Sequence, residues 1–569
     1  MNADNRNLIT AIALSMLILI VYQVYFIPDT PAPQDQGYAG QTVENLPATP
    51  GSTQLAAASQ VPAAVTAPRV AFDGAGIKGS ISLAKGRIDD LRLKDYGVDT
   101  LTDENRVPLL RKSGADDSYF TEVDFLDGTT NAPLIGADVI WQSNGGSLTP
   151  STPLTLTHDN GNGLSFALTY TMDDDYMITM DAAVTNTSGN AVSIRHLARL
   201  LRNKPTESAF FISYEGPLGV FEEDVKVKVD YDDIEELNVT GESHQSDNVK
   251  GWIGITDKYW LTALIPARQD DVNFTFRRAP GAGLRTQVDA LTGATTIADG
   301  ATLTRSFALF AGPKQVDVLE AYNDSQNIER LDHAIDWGWF PFLTKPFYFA
   351  IHWLFVLMGN FGLAIIGVTV IVKVAFFPLA NKSYKSMAKM RELAPKVTEL
   401  RERFADDKPR QQQEMMQLYR AEKVNPAAGC LPVLLQIPVF FALYKVLFIS
   451  IEMRHAPFYG WITDLSALDP TSILNLFGLL PYSTAAFPDF MNLGVWPILM
   501  GISMYVQMSL NPPPPDPIQA KIFKFMPLFF TFLLATFPAG LVIYWTWNNL
   551  LSILQQWYIM QSMKKAKTA

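Results

Sequence analysis

At 569 residues the chain exceeds one ordinary globular core, and its formal charge of -12 is unevenly spread, so its regions must be read separately. Residues 28–345 hold 25 Lys and Arg against 44 Asp and Glu, whereas most of the remainder is apolar. That pattern describes an acidic soluble domain set in a membrane protein, excludes nucleic acid as the domain's natural partner, and with Cys430 as the single cysteine excludes an internal disulfide framework.

The first apolar run, Leu8 to Ile27, reaches the roughly 20 residues that a helix needs to cross the hydrocarbon core. Arg6 is offset by Asp4, and no small-residue cleavage motif follows Tyr25, Phe26 and Ile27, so residues 1–27 read as an uncleaved anchor rather than a signal peptide. Residues 28–69, rich in Pro, Ala, Gln, Thr and Gly, cannot bury enough apolar surface to offset chain entropy and read as a flexible linker.

Over residues 70–330 the periodicity turns to two. Leu164–Met172 and Tyr176–Thr185 alternate about Asp173, Asp174 and Asp175 as a hairpin would, and Val225–Val229 and Thr302–Phe310 alternate likewise. The expectation is an all-β sandwich. His158, His196 and His244 lack metal-ligand spacing, so no metal or catalytic residue is expected. Gly74, Gly76 and Gly79 spell a dinucleotide fingerprint, but Ser80–Tyr96 continues as alternating strand instead of the helix a phosphate requires. They read as turn residues, and no cofactor is expected.

Residues 331–348 carry the aromatic cluster Trp337 to Phe342, suited either to an interfacial segment on the outer leaflet or to packing between domain and membrane. A second span is expected at Phe349–Phe377, within a unit 349–380. Residues 381–426 have helical periodicity broken at Ala405–Pro409, which predicts a cytoplasmic helical hairpin. Ser386 and Lys389 match a serine/lysine acyl-transfer spacing, but they lie on a charged surface helix without companion motifs. Residues 427–563 supply spans three to six, at Leu431–Ile449, Leu493–Leu510, Ile522–Phe537 and Leu541–Met560, before a basic tail, 564–569. The turn at Pro538–Gly540 is tight enough to make the last two spans antiparallel neighbours. Eleven Lys and Arg between Asn381 and Pro426, against Arg454 alone between Ser450 and Asn492, place both termini in the cytoplasm and the acidic domain outside.

Lys373 stands out. Nine residues before Lys382, it is about 13 Å along a continuous helix from that basic edge, too deep to snorkel easily. A charge near the bilayer centre costs at least about 2.5 to 3.5 kcal/mol, and no acidic residue occurs in the neighbouring spans, so Lys373 should face water. Thr369 is one turn earlier, Asn548, Ser552 and Gln555 recur at helical spacing on the sixth span, and Gln436 lies on the third. Together they outline a polar cavity entered from the cytoplasm. For any one amide or hydroxyl, simple helix-to-helix bonding is the competing reading. A cationic recess shortens the hydrocarbon path of a polar or acidic peptide tail and attracts carboxylates without holding them tightly.

The stretch Asn425, Pro426, Gly429, Cys430, Leu431, Pro432, Gln436, Ile437, Pro438, Val439, Phe440, Leu443 and Tyr444 resembles the signature opening the third span of the YidC, Oxa and Alb insertase family. So do Ser386–Arg391, Glu414–Pro426 and Phe537–Tyr544. The anchor and acidic domain are similar to the Gram-negative form, whose periplasmic domain is a β-supersandwich. The resemblance implies a polytopic α-helical protein with six spans and a five-helix insertase core in the bacterial inner membrane. It implies an insertase and membrane chaperone, not an enzyme, serving newly made membrane proteins alone or with the Sec translocon. Its groove opens to cytoplasm and lipid, with substrates leaving along the third and fifth spans. By position Thr369, Lys373 and Trp545 match its groove residues, with Tyr544 beside the last. Two departures stand out: the groove cation, commonly Arg, is Lys, and Trp545 stands where well-known relatives have Tyr. The loop at Asn475–Asn492 also looks longer than in those relatives.

A solute transporter would also place polar groups near the midplane, but internal repeats and interrupted helix pairs are not found. No nucleophile, base and orienting group can be assembled for an enzyme. The basic hairpin and tail suit an anionic ribosomal surface or acidic lipid equally.

Overall fold

The computed structural model describes residues 67–98, 102, 105–203, 213–221, 225–237, 242–279, 284–338, 340–405, 407–422, 424, 431–484, 487, 491–511 and 517–568. The expected first span, the linker before Ala67, Trp339 and the Asn425–Cys430 part of the third-span signature lie outside these residues, as do the side chains of the basic tail.

Period-two sequence gives two antiparallel sheets. In spatial order the first runs Arg69–Asp73, Ile77–Ser82, Arg87–Gly97, Tyr119–Asp127, Val192–Asn203, Arg285–Thr292, Val272–Arg278 and Glu242–Val249, with Arg106–Leu110 and Thr295–Ile297 paired at its side. The second runs Val225–Lys228, Gly216–Phe221, Gly251–Thr256, Trp260–Pro266, Thr302–Pro313, Met177–Asn186, Leu164–Met172, Leu154–Asp159 and Gln142–Ser143. The expected hairpin forms with Met172 opposite Ile178, and its turn is fixed by the Asp173 carboxylate, which accepts from the backbone N–H of Asp175 and Met177, each at 3.0 Å. Leu164, Phe166, Leu168, Tyr170 and Met172 alternate inward, and Phe166 meets Phe125 of the facing sheet at 4.9 Å between ring centres. Phe221 stacks on Phe274 across the same interface. This is the β-sandwich that the alternation predicts.

Two of the three glycines of the apparent fingerprint behave as expected: Gly74 donates to Ile77 O across the turn, and Gly76 lies in the same bend. Gly79 does not. It sits inside strand Ile77–Ser82, where a Cβ would fall 1.8 Å from Asp90 O, so close approach of backbones demands glycine there. Charges buried on the first sheet are paired, as burial requires: Asp124 accepts from Lys85 at 2.6 Å and Arg199 at 2.7 Å, and Arg87 bonds Glu122.

Among the described residues the α-helices are, in chain order, α1 (Tyr231–Glu236), α2 (Val316–Ser325), α3 (Pro341–Met358), α4 (Phe361–Ala375), α5 (Phe377–Arg403), α6 (Lys408–Ala421), α7 (Leu431–Ile449), α8 (Val495–Ser509), α9 (Pro517–Leu534) and α10 (Ala539–Thr568). Among the described residues α3 alone is long and apolar enough to cross a membrane by itself, and α4 with α5 passes as a pair bent by 67°. The second span expected at Phe349–Phe377 is therefore corrected to two helices. Gly359, at φ 68°, ends α3 in the left-handed conformation, and the Asn360 side chain caps α4 by accepting from Leu363 N–H. α3 folds back along α4, so that Leu354 and Met358 meet Gly367 and Phe355 stacks on Phe361 at 3.7 Å. A second boundary also moves, because α4 ends at Ala375 and Pro378 opens the first turn of α5, so the hairpin helix begins before residue 381.

The α5–α6 hairpin forms as its pattern predicts, with Leu393, Val397 and Val424 buried, Asp407 capping α6 and Lys396 paired with Glu422 at 2.7 Å. α8 lies between α9 and α10, which pack along it rather than along each other. Phe530 and Trp545, 5.6 Å apart, link α9 and α10.

Polar contacts join the sandwich to the helices. Asp336 accepts from Lys445 of α7 at 2.9 Å and from Tyr214 N–H at 3.1 Å, while Arg454, just after α7, donates to Gly97 O and Val98 O. The Lys445 and Lys228 ammonium groups hold the Asp336 carboxyl far below the usual carboxylate range, against the opposing effect of its burial.

Buried in the sandwich, His196 titrates down to about 3 through desolvation and the nearby Arg305 guanidinium. The unfolded chain takes up this proton near pH 6.5 and the folded domain does not, so the contribution of this one group to stability is flat above pH 6.5 and falls below it. We expect a loss approaching about 1.4 kcal/mol per pH unit before carboxylates begin to protonate near about pH 5. Urea unfolding of wild type and His196→Gln checks this: the variant should be less stable at neutral pH but have a shallower slope below pH 6.5.

Candidate functional site

The polar side chains expected inside the helical bundle divide into two groups joined by α10. Lys373, in the last turn of α4, donates to Ser552 Oγ at 2.8 Å, and Ser552 donates in turn to Asn548 O at 2.8 Å. Eight residues earlier on α10, about 12 Å along its axis, Tyr544 accepts from Gln436 Nε2 of α7 at 3.3 Å. Tyr544, Asn548, Ser552 and Gln555 thus mark a polar line down one side of α10 facing α4 and α7.

Lys373 is half-buried, and among the described residues no carboxylate pairs with it. The helix bends after Ala375, so Lys373 does not sit within one continuous helix running to Lys382. Instead it lies in the last turn of α4, where the helix dipole favours a cation. Nearby, the Asn548 side-chain oxygen and Gln555 Nε2 are buried without a hydrogen-bond partner. Unsatisfied buried amides beside an ammonium whose partner is a hydroxyl leave polar groups that water can satisfy.

Two expected members are placed otherwise. Thr369 is on the Lys373 face but is 2% exposed, and its hydroxyl donates to Ile365 O of its own helix at 2.7 Å. Its polar group is spent locally. Trp545 turns away from the polar line into an aromatic cluster, 4.6 Å from Phe440 of α7 and 5.6 Å from Phe530 of α9. Its ring closes the α7–α9 side of the bundle.

The amides adjacent to the expected ones form a second set. Asn549 donates to Ser503 of α8 at 3.1 Å, and Gln556 donates to Leu510 O at 3.1 Å. The doubled amides at 548/549 and 555/556 were the available signal, since neighbours on a helix point about 100° apart and so serve different walls. Among the described residues no group of three or more His, Cys, Asp and Glu could hold a metal ion.

The model of the 60Kd inner membrane protein family matches residues 353–567, and that of the YidC periplasmic domain matches residues 69–350. A membrane protein insertase YidC from Brucella melitensis is 45% identical, with 98% of this chain and 96% of that protein covered. One from Granulibacter bethesdensis is 46% identical over 99% of this chain and 98% of its own length. A crystal structure of an active YidC insertase with its first transmembrane domain resolved is 18% identical, covers 87% of this chain and 93% of its own, and has a TM-score of 0.36.

The Lys373–Ser552 contact is open to a double-mutant cycle of Lys373→Met and Ser552→Ala, read by denaturation in micelles. A charge-assisted hydrogen bond predicts a coupling of about 1.5 to 3 kcal/mol, and additivity of the two changes would mean that the groups do not interact.

Proposed function

Because the chain belongs to the YidC family of membrane protein insertases, we propose that it lowers the barrier to membrane insertion through a hydrated, cationic recess walled by α4, α7 and α10. Its substrates are newly made membrane proteins. Lys373 supplies the charge, Ser552 and Asn548 extend the polar lining, and Gln436 with Tyr544 marks its far end, while Thr369 and Trp545 shape the walls. The observation that carries this reading is the ammonium of Lys373 on the largely apolar α4, held by the Ser552 hydroxyl of α10 with no carboxylate to neutralise it among the described residues. Such a group lets a carboxylate pass part of the bilayer in water, and the loose Lys headgroup releases it again.

In this reading the protein lies in the inner membrane with six spans: the N-terminal anchor, then α4, α7, α8, α9 and α10. α3 lies along the outer leaflet, where Phe342, Phe349, Trp353 and Val356, at helical spacing, form its exposed apolar face. Both termini and the basic α5–α6 hairpin face the cytoplasm, where the hairpin can meet acidic lipid or a ribosome. The protein acts alone on short substrates and with the Sec translocon on longer ones, and as a chaperone for those it releases into lipid. It uses no cofactor and no covalent catalysis.

Reconstituted vesicles test the charge. With a substrate whose translocated tail is acidic, Lys373→Arg should insert it nearly as well as wild type, and Lys373→Glu should slow it about tenfold or more, which corresponds to about 1.4 kcal/mol of barrier. Equal rates for all three would remove Lys373 from the mechanism.

A further inference from the structure

The segment Ile473–Thr484 turns an apolar surface outward at the end of the bundle nearest the β-sandwich. Ile473, Leu476, Phe477, Leu479, Leu480 and Tyr482 are all exposed, Leu479 to 83%. Loose chain would fold such residues away, but here the backbone holds them out. Phe477 N–H donates to Ser472 O at 2.7 Å, Leu480 N–H to Asn475 O at 3.0 Å, and Gly478 N–H to the Asn475 side chain at 3.0 Å, while the Tyr482 hydroxyl donates to Leu474 O. Leu476 and Phe477 take positive φ, 50° and 58°, an uncommon conformation for bulky residues that only the surrounding bonds can maintain.

The segment is also rooted on helix ends. Asp469 accepts from Trp496 N–H at 2.9 Å and the Thr471 hydroxyl accepts from Val495 N–H at 3.0 Å, capping the N-terminus of α8. Ala467 O and Leu465 O accept from Ala539 and Gly540 at the start of α10. The apolar surface therefore begins where α8 begins and continues into its exposed Leu499 and Ile502.

We propose that Ile473–Thr484 is a wedge seated in the outer leaflet, its side chains among the phospholipid acyl chains and the Tyr482 ring at the headgroup boundary. Residues 470–484 contain no charged side chain. A protein partner surface carries a polar rim and is enriched in Arg, whereas an uncharged aliphatic and aromatic tip continuous with a spanning helix matches lipid. The wedge would fix the depth of α8 and α10, and so of the recess, from the outer side. This inference rests on α8 as a span that starts at the outer face.

The test uses the full chain with Cys430→Ser in phospholipid nanodiscs, carrying a nitroxide at Leu479→Cys or at Leu476→Cys. Labels at Ile502→Cys on α8 and Asn162→Cys at a sandwich turn serve as lipid and water references. Collision with oxygen, which concentrates in lipid, is compared with collision with nickel-EDDA, which stays in water. The proposal expects the oxygen-to-nickel ratio at 479 and 476 to shift to the side of Ile502. A ratio like that of Asn162 would overturn it, as would shielding from both reagents, which would mean that protein covers the segment. An aqueous ratio at Ile502 itself would instead overturn the span assignment, separately from the wedge.

Discussion

An ammonium group set among apolar helices needs a polar partner, and in this protein Lys373 of the apolar α4 finds one in the Ser552 hydroxyl, with no carboxylate paired to it among the described residues. Much of the local arrangement answers that constraint. The helix ends two residues later, and after the 67° bend α5 stays packed against α10, where its Tyr384 side chain bonds the same Ser552 that receives the cation. α10 presents hydroxyl and amide groups along the facing side, where leucines would have packed more tightly. In the proposed mechanism that polar line, rather than tight packing, is what eases insertion.

The acidic sandwich is not suspended freely from the membrane part. Asp336 takes donors from both units, Arg454 reaches back to the Gly97 and Val98 carbonyls, and Tyr348 of α3 bonds Glu452 just beyond α7 at 2.8 Å. Lys258 also rests over the Phe448 ring at 3.7 Å. These contacts converge on α7, which also carries Gln436 and Phe440 against α10.

Where one periodicity dominated, residues foretold structure well. The hairpin about Asp173–Asp175 forms in register because a half-buried strand must alternate, and the α5–α6 hairpin forms because its apolar stripe and Pro409 allow little else. Hydropathy, by contrast, is blind to a break between two apolar helices, so Gly359 and Asn360 were absorbed into a single span although both are turn and cap residues. Composition named the polar residues of α10 but could not assign walls to them. Ser552 meets Lys373, whereas Trp545, matched to the groove by resemblance, faces Phe440 and Phe530. Thr369 shares a face with Lys373, yet its hydroxyl is taken by its own helix, a local choice that spacing does not reveal.

In the proposed mechanism water reaches the Lys373–Ser552 contact from the side of the α5–α6 hairpin. Ser552→Cys in a Cys430→Ser background places a thiol there with little change in volume, and its alkylation by a membrane-impermeant maleimide can be followed in sealed vesicles of either orientation. The account predicts rapid labelling in inside-out vesicles and slow labelling in right-side-out ones. Labelling only after detergent is added, in both orientations, would show the contact to be dry and would contradict it.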